Sequence, residues 1–196
     1  MSDRKNRVES PERCIRTRGL AAAMSALSDF GPHASLESVA ALAGCPKASL
    51  ARVFSSKEAL FLLAFAELDR IAMEALRLAS ARQGGGRAGA LAAARASAAM
   101  ASRPAFKGCP LNAASASLAL CPWAATAVAK HKTNVVAFYA QELAADLEPA
   151  RALLCAQAIA VILDGAHINA SGGFGAGCAD AAAEAIRAVI ELASCE

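Results

Sequence analysis

Aromatic side chains are scarce in this 196-residue chain, at 5% with a single Trp and a single Tyr, and charged residues reach only 19%. A core must therefore come mostly from small aliphatic groups, and alanine supplies most of the mean hydropathy of +0.37. Alanine is a strong helix former that lets helices approach closely. No run alternates as strands do, and no internal repeat is evident. The three histidines, His33, His131 and His167, have no metal-ligand spacing and no Ser-His-Asp order around a nucleophile elbow. No metal site, cofactor or enzymatic activity is expected. His131, between Lys130 and Lys132, reads as solvent-facing, and His167 as a satisfied interior histidine. The glycines at 172, 173, 175 and 177 follow no strand and lack the Lys of a phosphate loop, so they read as a flexible helix connection.

Cysteine number and spacing exclude a disulfide framework: the seven are odd in number, form no CxxC pair, and follow no secretory leader. A reducing cytoplasm is expected. Residues 108–129 carry no charge. That is long enough to span a bilayer, but Pro110, Asn112, Ser115, Ser117, Pro122 and Thr126 interrupt the stretch, which reads as a buried helix pair with no membrane contact.

What is present is helical punctuation. Seven prolines fall between periodic apolar runs. A first helix is expected over 16–31, with Leu20, Ala23, Met24, Leu27 and Phe30 on one stripe. A long fourth helix is expected over 56–82, with Leu60, Leu63, Ala64, Leu68, Ile71, Ala75 and Leu78 facing inward until Gly84, Gly85 and Gly86 end it. Further helices are expected over 88–102, 110–120, 123–146, 149–169 and 179–194. Between the first and fourth, Ser35 is a cap for a short helix bearing Leu36, Val39, Ala40 and Ala43 on its inner face. Gly44 stops that helix, and Pro46 sets the first turn of another. In this second short helix Leu50 and Phe54 point inward, while Lys47, Ala48, Ser49, Ala51 and Arg52 remain outside. Small residues mixed with cations suit a duplex groove.

Charge divides accordingly. Residues 1–57 hold nine Lys/Arg against five Asp/Glu, and residues 58–196 eleven against twelve. Arg4, Lys5, Arg7, Arg13, Arg16 and Arg18 read as a basic arm ahead of the first helix, either tracking phosphates or simply solubilising the chain.

The segment ALAGCPKASLARVFSSKEALF resembles the helix-turn-helix signature of the tetracycline-repressor (TetR) family of bacterial regulators, matching it at Ala43, Gly44, Lys47, Ser49, Leu50, Phe54, Ser56, Lys57, Glu58 and Leu60. The resemblance implies an all-α protein with an N-terminal three-helix DNA-binding domain (1–57) joined to a larger helical ligand-binding and dimerisation domain (58–196). It also implies a transcriptional regulator, a repressor released from a palindromic operator by a small-molecule effector. Its DNA contacts would be Lys47, Ala48, Ser49, Ala51, Arg52 and Lys57, on double-stranded DNA. The effector would be lined by Phe106, Cys109, Leu111, Trp123, Phe138 and Tyr139, with the Lys107–Leu111 stretch near a pocket helix. The last two helices would form a homodimer through Ile159, Leu163, Ile186 and Val189. Two alternatives stay open. Ala51 and Val53 cannot donate to phosphate, which fits a helical dimeric interaction module without operator binding. Cys109, beside Lys107 and just ahead of a helix, fits a cysteine-based oxidant or electrophile sensor.

Overall fold

A computed structural model of the chain describes residues 10–175 and 177–194; Arg4, Lys5 and Arg7 lie outside them. The described residues form nine α-helices and no strand: α1 Pro11–Phe30, α2 Leu36–Ala43, α3 Lys47–Val53, α4 Lys57–Ala81, α5 Gly86–Ala98, α6 Pro110–Ala116, α7 Ala125–Leu143, α8 Pro149–Ser171 and α9 Cys178–Leu192. The all-α reading holds. Short 3-10 turns finish α1 and α5 and precede α7.

Local chemistry sets the helix ends. Ser10, Ser35 and Ser56 accept the N–H groups of Arg13, Ser38 and Ala59 at the starts of α1, α2 and α4, satisfying donors that a helix leaves free. Gly44 closes α2 in the left-handed region (φ 59°), where a side chain would be strained. The first helix begins at Pro11 instead of Arg16, so Arg13, Arg16 and Arg18 are helical residues and not a free arm. The capped Ser10-Pro11 start supplies the reason. The expected helix at 110–120 ends at Ala116, and the one at 123–146 opens with a 3-10 turn at Pro122–Ala124 before α7.

Two apolar clusters organise the chain. The first joins α1 (Ala23, Leu27), α2 (Val39) and α3 (Leu50, Phe54) to α4 (Leu60, Phe61, Phe65), and it continues into Leu111, Ala124 and Val128. The second joins Met73 and Leu76 of α4 to α5, α7, α8 and α9. Helix α4 belongs to both, so the position 57/58 marks the start of a shared helix. Its inward stripe differs from the expected one. Leu63, Ile71 and Leu78 are exposed, while Phe61, Phe65, Met73 and Leu76 are buried. A 3.6-residue period extended from Phe61, Ala64, Phe65 and Leu68 reaches Asp69, Ala72, Met73 and Leu76. A polar residue therefore occupies the inner face where Ile71 was expected. Phe30, expected on the stripe of α1, is also exposed.

The predicted dimer residues need a correction too. Ile159, Leu163 and Ile186 are buried in the chain's own second cluster, and Val189 packs against it. Among the large apolar residues that α8 leaves outside, Leu154, Val161 and Ile168 recur at seven-residue steps beside Leu153, with Leu192 exposed on α9. Helix α8 is apolar on every side, and it alone of the described helices has the length and apolarity to cross a membrane. It lies between α7 and α9 instead.

The packing of α1 on α3 is close enough to exclude a methyl group. A Cβ at Gly19 would meet Leu50 Cδ2 at 2.6 Å and Phe54 Cε2 at 2.9 Å, and both side chains are buried. Helix propensity alone favours Ala over Gly by about 1 kcal/mol. Overpacking costs about 1–3 kcal/mol, so Gly19→Ala is expected to lower the unfolding midpoint in a thermal or urea melt. A raised midpoint would contradict this packing.

Candidate functional site

The outer face of α3 is built by subtraction. Leu50 and Phe54 turn into the first cluster, which leaves Lys47, Ala48, Ala51 and Arg52 exposed side by side and Ser49 at the edge. All five predicted α3 residues thus share the outward face of a short helix. Lys47 is ion-paired to Glu37 of α2, and this pair, with hydrogen bonds to Glu37, holds the Glu37 carboxyl below its ordinary value. Both groups are solvent-exposed, a setting in which water screens such pairs and they contribute little, so an incoming phosphate can compete for the ammonium. Lys57 is less available. Its Nζ lies 3.4 Å from the Ala34 carbonyl oxygen and 5.5 Å from the Phe61 ring centroid.

The angle between α2 and α3 is fixed by residues that the sequence reading assigned elsewhere. Arg18 Nε donates to the Ala43 carbonyl at 2.8 Å, and its Nη2 also donates to Ala43 and Gly44. One guanidinium from α1 thereby satisfies the free carbonyls at the end of α2. Arg16 lies 5.6 Å from the Phe54 ring centroid. These two cations hold the head together and do not form an arm.

The six predicted effector residues do not line one cavity. Trp123 stacks obliquely on Phe61 and Phe65, with centroids 6.1 and 6.0 Å away, in the first cluster with Leu111 and Cys109. Phe138 and Tyr139 meet edge to face at 5.1 Å in the second. Phe106 contacts the His167 ring at 5.2 Å and borders an open groove of about 360 Å3, lined also by Arg103, Ala170 and Gly175. The physical reason is α4, whose two apolar halves draw the aromatics to opposite ends. Tyr139 retains one unusual feature: its hydroxyl is buried without a hydrogen-bond partner, and burial raises its pKa well above the ordinary phenol value.

Between the clusters runs a layer of polar groups. Asn112 of α6 donates to Asp164 of α8 at 2.9 Å, and the Lys132 ammonium of α7 bonds to both. His167 Nε2 lies 3.0 Å from the Ser97 carbonyl; its pKa is lowered, first by burial. His131 is buried and not solvent-facing, with 6% exposure. Its Nδ1 lies 2.7 Å from Asp69 Oδ1 on α4, and Asn134 donates to the other carboxylate oxygen at 2.8 Å. Cys109 acts on the His131 imidazole as well. Burial pushes the thiol pKa up. The neighbouring His131, with backbone N–H groups of Asn112 and Leu111, outweighs it and leaves the thiol below its ordinary value. The imidazole, disfavoured as a cation by burial, is raised on balance by Cys109 and Asp69. Lys130 and Lys132 concealed this site in the sequence. The helical period of α4, which puts Asp69 inward, was the signal for it.

Residues 20–64 match the family described as bacterial regulatory proteins, tetR family. The whole fold is similar to that of a TetR-family transcriptional regulator from Streptomyces coelicolor (20% identity, 92% of this chain and 90% of that one, TM-score 0.82). It is also similar to a putative TetR transcriptional regulator from Streptomyces avermitilis (22%, 91% and 97%, 0.78). Escherichia coli NemR in its reduced form is a third (21%, 89% and 96%, 0.74). No curated protein matches the sequence. The resemblance drawn from residues 43–60 is therefore borne out across the head, and the fold across nearly the whole chain.

Removing the Arg18 guanidinium strands the Ala43 carbonyl and loosens α2 against α1. Arg18→Ala is expected to cost about 1–3 kcal/mol in a denaturant melt, the range for losing charge-assisted bonds. Arg18→Lys, which lacks the planar fork, should recover only part of it. Full stability in Arg18→Ala would show that the cap is dispensable.

Proposed function

We propose, from the tetR-family match over residues 20–64 and the exposed Lys47-Ala48-Ala51-Arg52 face of α3, that this protein is a dimeric DNA-binding transcriptional repressor whose second domain (58–196) takes a small-molecule effector. The exposed α3 face carries the DNA reading. Its small residues let the helix enter a major groove, and its cations meet phosphate or guanine. Ala48, Ser49 and Ala51 lie against the bases in this reading, and Lys57 steadies the head. No catalytic constellation enters the reading, and a cytoplasmic location follows from DNA as the partner.

The homodimer forms through the outer faces of α8 and α9, with Leu154, Val161 and Ile168 as its apolar stripe and Leu192 beside it. Small Ala181 and Ala185 on α9 allow close helix approach. The effector is read at the polar layer between the clusters, where Phe106, Cys109 and Trp123 are half-buried. The unpartnered Tyr139 hydroxyl supports an effector with a hydrogen-bonding atom, since an unsatisfied buried hydroxyl costs about 1–3 kcal/mol. Effector binding favours a placement of α4 in which the two heads no longer match successive major grooves.

Two expectations test this reading. A selection on random duplexes should return a palindrome with half-site centres about one helical turn, roughly 34 Å, apart. Lys47→Ala/Arg52→Ala should weaken binding to it about tenfold or more and flatten the salt dependence; unchanged affinity would rule out α3 as the reading helix. For the dimer, Val161→Asp should give a folded monomer in sedimentation. Ile159→Asp should unfold the chain, because burying an unpaired carboxylate costs several kcal/mol. A stable Val161→Asp dimer would move the interface elsewhere.

A further inference from the structure

The buried link from His131 to Asp69 crosses the fold where its two cores meet, and the repressor reading does not use it. Asp69 lies about one helical turn from Phe65, buried in the first cluster, and one turn from Met73, buried in the second. Its Oδ1 meets His131 Nδ1 of α7 at 2.7 Å, and Asn134, also on α7, donates to its Oδ2 at 2.8 Å. Both carboxylate oxygens are thus committed to α7. The remaining titratable groups around the ring come from α6, α7 and α8. Cys109 acts on the imidazole from the start of α6. Lys132 of α7 is bound to Asp164 of α8 and to Asn112 of α6, and His167 of α8 turns to the Ser97 carbonyl. Asp69 is the only carboxylate bonded to the His131 ring among the described residues.

We propose that His131 and Asp69 form a proton-operated latch, in which the imidazolium ties α7 to α4 where the two cores meet and loss of the proton slackens that tie. The protonated ring gives Asp69 a hydrogen bond and a countercharge together. A neutral ring can still donate one N–H, but the carboxylate then keeps its charge among buried groups with no cation beside it, which is unfavourable. Burial disfavours the imidazolium; Cys109 and Asp69 outweigh it, so the His131 pKa lies above its ordinary value of 6.5. A pKa raised in the folded state adds stability that is complete below the unfolded value and is lost as pH climbs through the folded one. The latch therefore opens on the alkaline side of 6.5. A tied α4 holds the head in one placement, which lowers the ordering cost of binding DNA. This last step rests on the DNA-binding reading above and adds proton control to it.

The experiment follows the His131 ring resonances of the full chain by NMR across a pH series, in wild type and in Asp69→Asn. The wild-type midpoint should lie above the ordinary imidazole value, and Asp69→Asn should lower it. A midpoint that Asp69→Asn leaves in place would overturn the latch. Thermal melts over the same series give a second readout: wild type should lose stability as pH rises through that midpoint, and His131→Asn, which keeps a neutral donor but no charge, should lack the step. His131→Gln makes the same comparison if His131→Asn does not fold. Superimposable pH profiles for wild type and the variant would contradict the proposal. Cys109→Ser should retain the step; its loss there would make the thiol, and not Asp69, the controlling partner. For the head, wild type should bind the selected palindrome about fivefold or more tightly below the midpoint than above it, and His131→Asn should show no such difference. A step in the melts with none in DNA affinity would strike the coupling to the head. Failure to bind the palindrome at any pH would instead strike the repressor reading and leave the midpoint and the melts standing.

Discussion

Everything in this fold depends on α4 packing two cores at once. Phe61 and Phe65 are fully buried at one end against α1, α3 and Trp123, and Met73 and Leu76 are buried near the other against α5, α7 and α8. Its 25 residues make a rod about 37 Å long at roughly 1.5 Å per residue. Neither end can rotate without dragging the other, because a close-packed interior has few intermediate arrangements. The head is thus oriented by the body, and the one charged side chain on the inner stripe, Asp69, sits at the join.

The alanine-rich composition sharpens that constraint. A buried methyl group contributes little apolar area by itself, and about 25 cal/mol per Å2 must be collected over many close contacts. Ala90, Ala93, Ala94 and Ala98 are all fully buried in α5, which brings that helix close to α4 and α9. Gly19 does the same for α1 against α3. A core built this way has few long side chains that can re-pack around an error, so its tolerance for added volume is low.

The parts legible in the sequence were those whose causes are local. Ser35, Gly44 and Pro46 announce the two short helices and the turn between them, and the structure follows except that Pro46 is the extended cap before α3, which begins at Lys47. What failed were decisions about which neighbour a side chain meets. Helix α8 is apolar all round, so periodicity could not tell Ile159, which faces the chain's own core, from Val161, which faces out. The last turns of α4 offered Ile71 and Leu78 as obvious inward residues, yet the helical period placed Asp69, Met73 and Leu76 there. His131 was judged by its charged sequence neighbours although a helix turns each residue about 100° from the next. Arg18 was counted as surface charge because its acceptors, the carbonyls of Ala43 and Gly44, lie 25 and 26 residues away. The domain boundary, effector contacts and dimer face are questions of the same non-local kind.

These features also limit how a signal can travel. The exposed ion pairs that tie elements together, Lys47 with Glu37 and Lys107 with Asp29, are screened by water and contribute little. That is too little to carry a coupling of about 1–3 kcal/mol between an effector and the head. The apolar clusters are strong enough but respond only to changes of volume. The polar layer is different, since its charges lie in a medium where electrostatic interactions are several times stronger than in water. A change of protonation at His131 reaches Asp69 through a single 2.7 Å bond. From Asp69 the path continues along the same helix, about one turn to Phe65 and two to Phe61. The polar layer is therefore where a change of charge has the shortest route to the head.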